Sequence, residues 1–192
     1  MPARDQKRIL HATGSHAAGW RDHCIFVLDF GPGLRQKEIV SLDVGDVFTP
    51  DGKAKSRVVL RVYKRTAARN PPVQEVFLSR DVRAKLERLY ELKRRAGQPL
   101  SPDSPIFLSR LRKRISTRQV RNLNAVWQRR AGIDTHYPFH VTRHNACTAV
   151  YRVRRDLRVV QVIARHADIR SSVWYTHPSV DEIEEIVESA SG

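Results

Sequence analysis

The hydrophobic pattern of this chain changes period twice, and that change limits the fold more than any other feature. Residues 17–30 (AAGWRDHCIFVLDF) carry apolar side chains at helical spacing, and the GPG at 31–33 ends the run. A second short helix is expected over 34–42, with Arg35 on its first turn near the positive end of the helix dipole. Over 57–63 (RVVLRVY) and 73–78 (VQEVFL), β-branched and aromatic residues take over, on either side of RTAARNPP. These segments predict an antiparallel hairpin, with DGKAKS as the turn before it. The helical period then returns. Val82, Leu86, Leu89 and Leu92 mark an amphipathic helix over 81–96, QPLSPDSP reads as a loop, and Ser116 with Gln119 forms a capping box opening a helix over 116–130. Helices over 140–153, 157–165, 169–176 and 180–189 complete the pattern. The expected class is α+β: mostly helical, with one small antiparallel hairpin.

Charge points to the partner. The chain has 192 residues, 35 of them Lys or Arg against 20 Asp or Glu, for a formal net charge of +15. The basic residues run from Arg4 to Arg170 rather than forming one tail, so they belong to a folded surface that fits a polyphosphate. The sign reverses at Asp181, Glu182, Glu184, Glu185 and Glu188. A basic RNA binder would share such a balance, but no aromatic stacking motif for RNA is visible. Cys24 and Cys147 lie among apolar residues without metal-ligand spacing and read as reduced core thiols. The longest apolar run, Cys24 to Leu28, is too short to cross a bilayer, and MPARDQKRIL has no signal-peptide stretch. A cytoplasmic protein with no membrane partner is expected.

Five residues carry chemistry in a fixed order: Arg35 in GLRQKEI, His140 and Arg143 in HVTRH, His166 in ARHADI, and Tyr175 in VWYTHPS. An arginine fork stays charged and grips two phosphate oxygens. His140 and Arg143, three apart, share one helix face and can address one phosphate. A phenol is a poor nucleophile near neutral pH unless cations favour the phenolate, and arginines with histidines supply that. No acidic cluster suited to Mg²⁺ is visible, so neither a metal nor any other cofactor is expected. Tyr151 is the nearest rival to Tyr175, but it follows a different motif.

In this order and spacing, with Tyr175 nine residues beyond His166, the chain resembles the catalytic domain of the tyrosine recombinase (phage integrase) family. The resemblance implies an integrase-like catalytic domain and a site-specific DNA recombinase, an enzyme that cuts and rejoins DNA through a 3′-phosphotyrosyl link without a metal. It implies Arg35, Lys64, His140, Arg143, His166 and Tyr175 as catalytic residues. His166 would donate a hydrogen bond to phosphate, and His140 would handle the tyrosine proton. Lys64, where the first strand runs out, matches the family's general acid, with Lys53 and Lys55 as competitors. Glu38 matches an acidic residue that orients its neighbours, or else a surface ion pair. One departure is Arg165, where the family has a glycine before the histidine.

The resemblance covers residues 17 to 190. It divides the chain into an N-terminal extension (1–16), the catalytic domain (17–179) and an acidic helix or tail (180–192). That tail, with Ile183, Ile186 and Val187 on one side, either packs in cis or docks on a neighbouring protomer. Arg35 falls so early that the chain is expected to be a minimal recombinase or a fragment. The implied partner is double-stranded DNA with an inverted-repeat core, bound by two protomers and synapsed by four, at the nucleoid. Arg118, Arg121 and Asn122 on the 116–130 helix, with Arg65 on the hairpin, are the candidates for further DNA contacts. A topoisomerase using the same chemistry is a related reading. The alternative is a DNA-binding accessory protein of the same fold that does not cut.

Overall fold

The computed structural model describes residues 1–16, 19–60, 74–165, 168–173 and 187. The chain forms two compact units, Met1–Ala146 and Cys147–Gly192. The hairpin tip with Lys64 and Arg65, the segment with His166, Tyr175, and the tail apart from Val187 lie outside the described residues.

The first unit begins with α1 (Ala3–Ser15) and α2 (Trp20–Phe30). In sequence, residues 1–16 are assigned only as an N-terminal extension, with no helix. Helix α1 forms around Ile9, fully buried where α1 packs on α2 and α6 (Thr117–Arg130). Helix α2 is buried continuously from Asp22 to Asp29, as a helix apolar on most sides must be, and the Gly31 N–H on the Val27 carbonyl (3.1 Å) closes it.

Two short helices follow, α3 (Gln36–Ser41) and α4 (Val44–Val47). Strands β1 (Arg57–Leu60) and β2 (Gln74–Phe77) pair antiparallel, with Arg57 opposite Phe77 and Leu60 opposite Gln74. Alternation sends Val58, Leu60 and Val76 inward and leaves Val59 and Phe77 exposed. The strands are those expected from the sequence, within their described parts.

Helix α5 (Arg80–Arg95) is capped by Ser79, whose hydroxyl accepts from the Val82 N–H. Val82, Leu86 and Leu89 face the core as expected, but Leu92 does not: it is exposed, and Lys93 is buried instead. Either position is one turn beyond Leu89. Oxygens from the following loop decide it, since the Lys93 ammonium donates to Gln98 Oε1 (3.1 Å) and to the Pro105 carbonyl (3.4 Å).

Helix α6 opens on the expected capping box, with the Ser116 N–H on Gln119 Oε1 (2.9 Å) and the Gln119 N–H on Ser116 Oγ (3.2 Å). Its inner face then does something the sequence pattern did not signal. Asn124 Nδ2 and Gln128 Nε2 both donate to the Tyr137 carbonyl, and the Tyr137 N–H donates back to Gln128 Oε1. That clamp fixes the segment leading into α7 (Phe139–Arg154), which starts in the first unit and ends in the second.

In the second unit, α8 (Leu157–Ala164) is capped by Asp156, and α9 (Arg170–Val173) follows. Cys147, Val160 and Ala164 are buried together, with Val150 and Tyr151 against them. Both cysteines are free and buried, as expected. Among the described residues, no helix is long and apolar enough to cross a membrane.

Candidate active site

The site is built at the turn between α2 and α3. Gly33 adopts a left-handed conformation (φ +63°), which favours glycine, and the Leu34 N–H returns to the Leu28 carbonyl (3.0 Å). The reversal delivers Arg35 to the position just before α3, with extended backbone (φ −69°, ψ 148°). This corrects the expectation that Arg35 lies on the helix's first turn. The difference matters, because here both its N–H and its side chain can reach Glu38.

Glu38 is 2% exposed, so it is no surface partner. Its carboxylate accepts the Arg35 N–H (2.6 Å) and the Arg35 guanidinium (2.7 Å). Arg143 Nη1 approaches the same carboxylate at 3.9 Å. Two arginines distant in sequence therefore converge on one buried carboxylate, Arg35 by hydrogen bonds and Arg143 as a longer ion pair. Such preorganised cations suit a phosphate, because they need not rearrange when it arrives.

Arg143 is mostly buried on α7, and His140, one turn earlier, is exposed. Both line a cleft of about 500 Å³, together with Arg35, Lys37, Arg121 and His136. Asp29 also reaches it and is fully buried. Burial pushes the Asp29 carboxyl well above the usual carboxylate range, against the opposing effects of a hydrogen bond with Thr142 and the charge of Arg143.

The cleft thus brings together Arg35, His140 and Arg143 from the motif residues, with Glu38 paired to the two arginines, and Arg121 from the proposed DNA contacts. Asn122, next to Arg121, lines a different groove with Leu123 and Trp127, while Arg118 is exposed on α6. Lys64, Arg65, His166 and Tyr175 lie outside the described residues. Of the rivals to Lys64, Lys55 Nζ is committed to the Gly45 carbonyl at 2.6 Å. The rival Tyr151 packs against the second unit's buried residues. Arg165 takes the left-handed conformation (φ 53°) at the end of α8, the geometry a glycine would adopt more freely, and its guanidinium donates to the Ile163 carbonyl (3.1 Å).

Sequence reading missed Lys37, His136 and Asp29. Lys37 lies inside the arginine motif and His136 is one helical turn's spacing before His140, so proximity offered a signal for both. Asp29 offered none, since it meets Thr142 across 113 positions. Among the described residues, no group of three or more His, Cys, Asp or Glu side chains is placed to hold a metal.

A mostly helical domain with a short antiparallel hairpin, and two arginines braced on one carboxylate beside an H-x-x-R turn, is an integrase-type architecture. The chain belongs to the phage integrase family, whose model matches residues 1–182. It is similar to the tyrosine recombinase XerC of Escherichia coli O127:H6, at 29% identity over 186 residues, covering 97% of this chain and 58% of XerC. The chain therefore spans less than two thirds of the length of that relative. In fold it is similar to XerA recombinase (TM-score 0.78, 23% identity, 99% of this chain and 64% of XerA). It is also similar to the XerH site-specific recombinase bound to a palindromic difH substrate (TM-score 0.74, 18% identity, 100% of this chain and 52% of XerH). The relatives are tyrosine recombinases, and solved neighbours include recombinases bound to DNA.

Proposed function

We propose that this chain carries the catalytic apparatus of a site-specific recombinase that cleaves and rejoins DNA through Tyr175. The observation that carries this reading is the bracing of Arg35 and Arg143 on Glu38 in one cleft with His140. The two guanidinium groups take the non-bridging oxygens of the scissile phosphate. The Tyr175 oxygen attacks phosphorus, a P–Oη bond forms, and the bond to the 5′-oxygen breaks. His140 accepts the phenolic proton, Lys64 protonates the departing 5′-oxygen, and His166 donates a hydrogen bond to the phosphate. The 3′-phosphotyrosyl link preserves the bond energy, so attack by a 5′-hydroxyl runs the same steps backwards. No step uses a metal.

Arg121 extends the positive surface of the cleft towards flanking phosphates, and Arg118, Asn122 and Arg65 are the other candidates for contact with the duplex. Two protomers occupy an inverted-repeat core and four form the synapse, in the cytoplasm at the nucleoid. The acidic 180–189 segment, with Ile183, Ile186 and Val187 as its apolar side, links neighbouring protomers.

The test is a nicked suicide DNA duplex carrying a candidate inverted-repeat site, incubated with wild type and with Tyr175→Phe in the presence of a chelator. A denaturant-resistant protein–DNA adduct formed by the wild type and absent from Tyr175→Phe is expected. Sequence-specific binding with no adduct from either protein overturns the reading in favour of a DNA-binding protein that does not cut.

A further inference from the structure

Thr142, the residue before Arg143, has its hydroxyl within hydrogen-bonding distance of two oxygens, Asp29 Oδ2 and the Phe139 carbonyl. A hydroxyl has one proton to give, and a carbonyl has none. Both contacts are satisfied together only if Thr142 donates to Phe139 while the Asp29 carboxyl brings its own proton and donates to Thr142 Oγ1. The surroundings agree. Asp29 is fully buried at the end of α2, and its second oxygen has no hydrogen-bond partner. An ionised carboxylate there would leave most of its acceptor sites empty.

We propose that Asp29 is a positioning residue of the cleft, held as the neutral acid, which anchors the Arg143 turn of α7 through Thr142 without cancelling the charge of Arg143. This rests on the reading of the cleft as a phosphate site. The groups facing that corner are Arg143 and His140 on α7, Arg35 and Glu38 at α3, Lys37 beside them, Arg121 on α6, and His136. An ionised carboxylate at Asp29 would place a further negative charge beside Arg143, where a phosphate must bind. Burial pushes the Asp29 carboxyl well above the usual carboxylate range, in the same direction as the hydrogen-bond geometry requires. Asp29 does not touch the reacting atoms. It sets the place and the charge environment of an arginine that does.

The experiment uses the full chain, ¹³C-labelled, with the Asp29 carboxyl resonance assigned by its loss in Asp29→Asn. Sulfate, whose charge is constant over the range, serves as the anion, and its affinity is read at each pH from the His140 ring signals. The Asp29 carboxyl is expected to stay protonated through neutral pH. Across its titration, wild-type sulfate affinity falls roughly tenfold, as one added negative charge beside Arg143 requires, while Asp29→Asn shows no such step. An Asp29 carboxyl that titrates with ordinary aspartates overturns the proposal, as does an identical pH step in Asp29→Asn. Should that variant not fold, the infrared carbonyl band of a protonated acid in the wild type decides the protonation state. Absence of sulfate binding at every pH, with Asp29 still protonated, overturns the phosphate-site reading and the purpose given to Asp29. The carboxyl titration keeps that failure distinct from failure of the protonation claim.

Discussion

Of two depressions on the first unit, the larger is not the one that holds the motif arginines. The groove lined by Trp20, Leu89, Leu92, Lys93, Leu108 and Trp127 encloses about 980 Å³, nearly twice the cleft of Arg35, His140 and Arg143. Several of its charged groups are tied to neighbouring protein atoms. Arg21 pairs with Asp22 and donates to the Leu108 carbonyl (2.7 Å), and Asp22 accepts the Trp127 indole N–H (2.8 Å). Lys93 meets only neutral oxygens there, and burial pushes its ammonium down to about 8. In the cleft, one buried carboxylate meets two guanidinium groups of the sequence motifs. Volume alone does not mark the depression that holds the motif residues. Guanidinium groups braced on a buried carboxylate do.

The largest effect should come from removing that brace. Glu38→Ala leaves Arg35 and Arg143 crowded together without their anion, at a cost of about 3–5 kcal/mol in chemical denaturation. Adduct formation on the suicide duplex should fall by at least about 100-fold, the scale of losing preorganised charge stabilisation. Glu38→Gln keeps an acceptor for the Arg35 N–H and should lie between. A variant that loses stability while each folded molecule keeps its cleavage rate would break the contrast between the depressions.

The matching change in the groove is Asp22→Ala. It strands the Trp127 indole N–H and frees Arg21, at a cost of about 2–3 kcal/mol. Adduct yield per folded molecule should stay within about twofold of wild type, because no group of the cleft moves. A large loss of cleavage at constant fold would make the groove part of the site.

Lys93 gives the groove a pH signature. Its folded-state pKa lies near 8, below the ordinary 10.5, so between these values the unfolded chain binds more protons than the folded one. Stability should therefore rise with pH across that window, and the cost of the buried charge is fully present below it. Lys93→Met should gain about 1 kcal/mol over wild type at pH 7, with the gain disappearing as the pH approaches 10. Melting curves of both proteins at pH 7, 8.5 and 10 check this, and a difference that does not change with pH would refute it.

What could be read in the sequence was local. The capping box of Ser116 and Gln119, the described parts of the alternating strands, and the one-turn spacing of H-x-x-R each lie within one or two turns, and each took the expected form. What escaped depends on partners far along the chain. Helix α1 depends on α2 and α6, which bury Ile9. The choice of Lys93 over Leu92 rests on Gln98 and Pro105 in the next loop. Arg35 moves off the helix because a left-handed Gly33 turns the chain just before it. Asp29 reads as one acid in an apolar run until α7 brings Thr142 to it. The arginines and the orienting carboxylate of Glu38 were legible as a motif, but the contact of Asp29 with Thr142 was not.

The smallest effect provides the sharpest division, because it compares adjacent residues on one helix. Arg121 lines the cleft and Asn122 lines the groove. Arg121→Ala should remove about one phosphate contact, reducing the slope of log affinity against log salt by about 1 and weakening duplex binding severalfold near physiological ionic strength. The loss should be similar for any duplex sequence, since a guanidinium on a phosphate reads charge and not bases. Asn122→Ala should leave the slope unchanged, having no charge to release counterions. Equal effects from the two substitutions would mean that α6 meets DNA with both sides, and the boundary between cleft and groove would not be the edge of the DNA-binding surface.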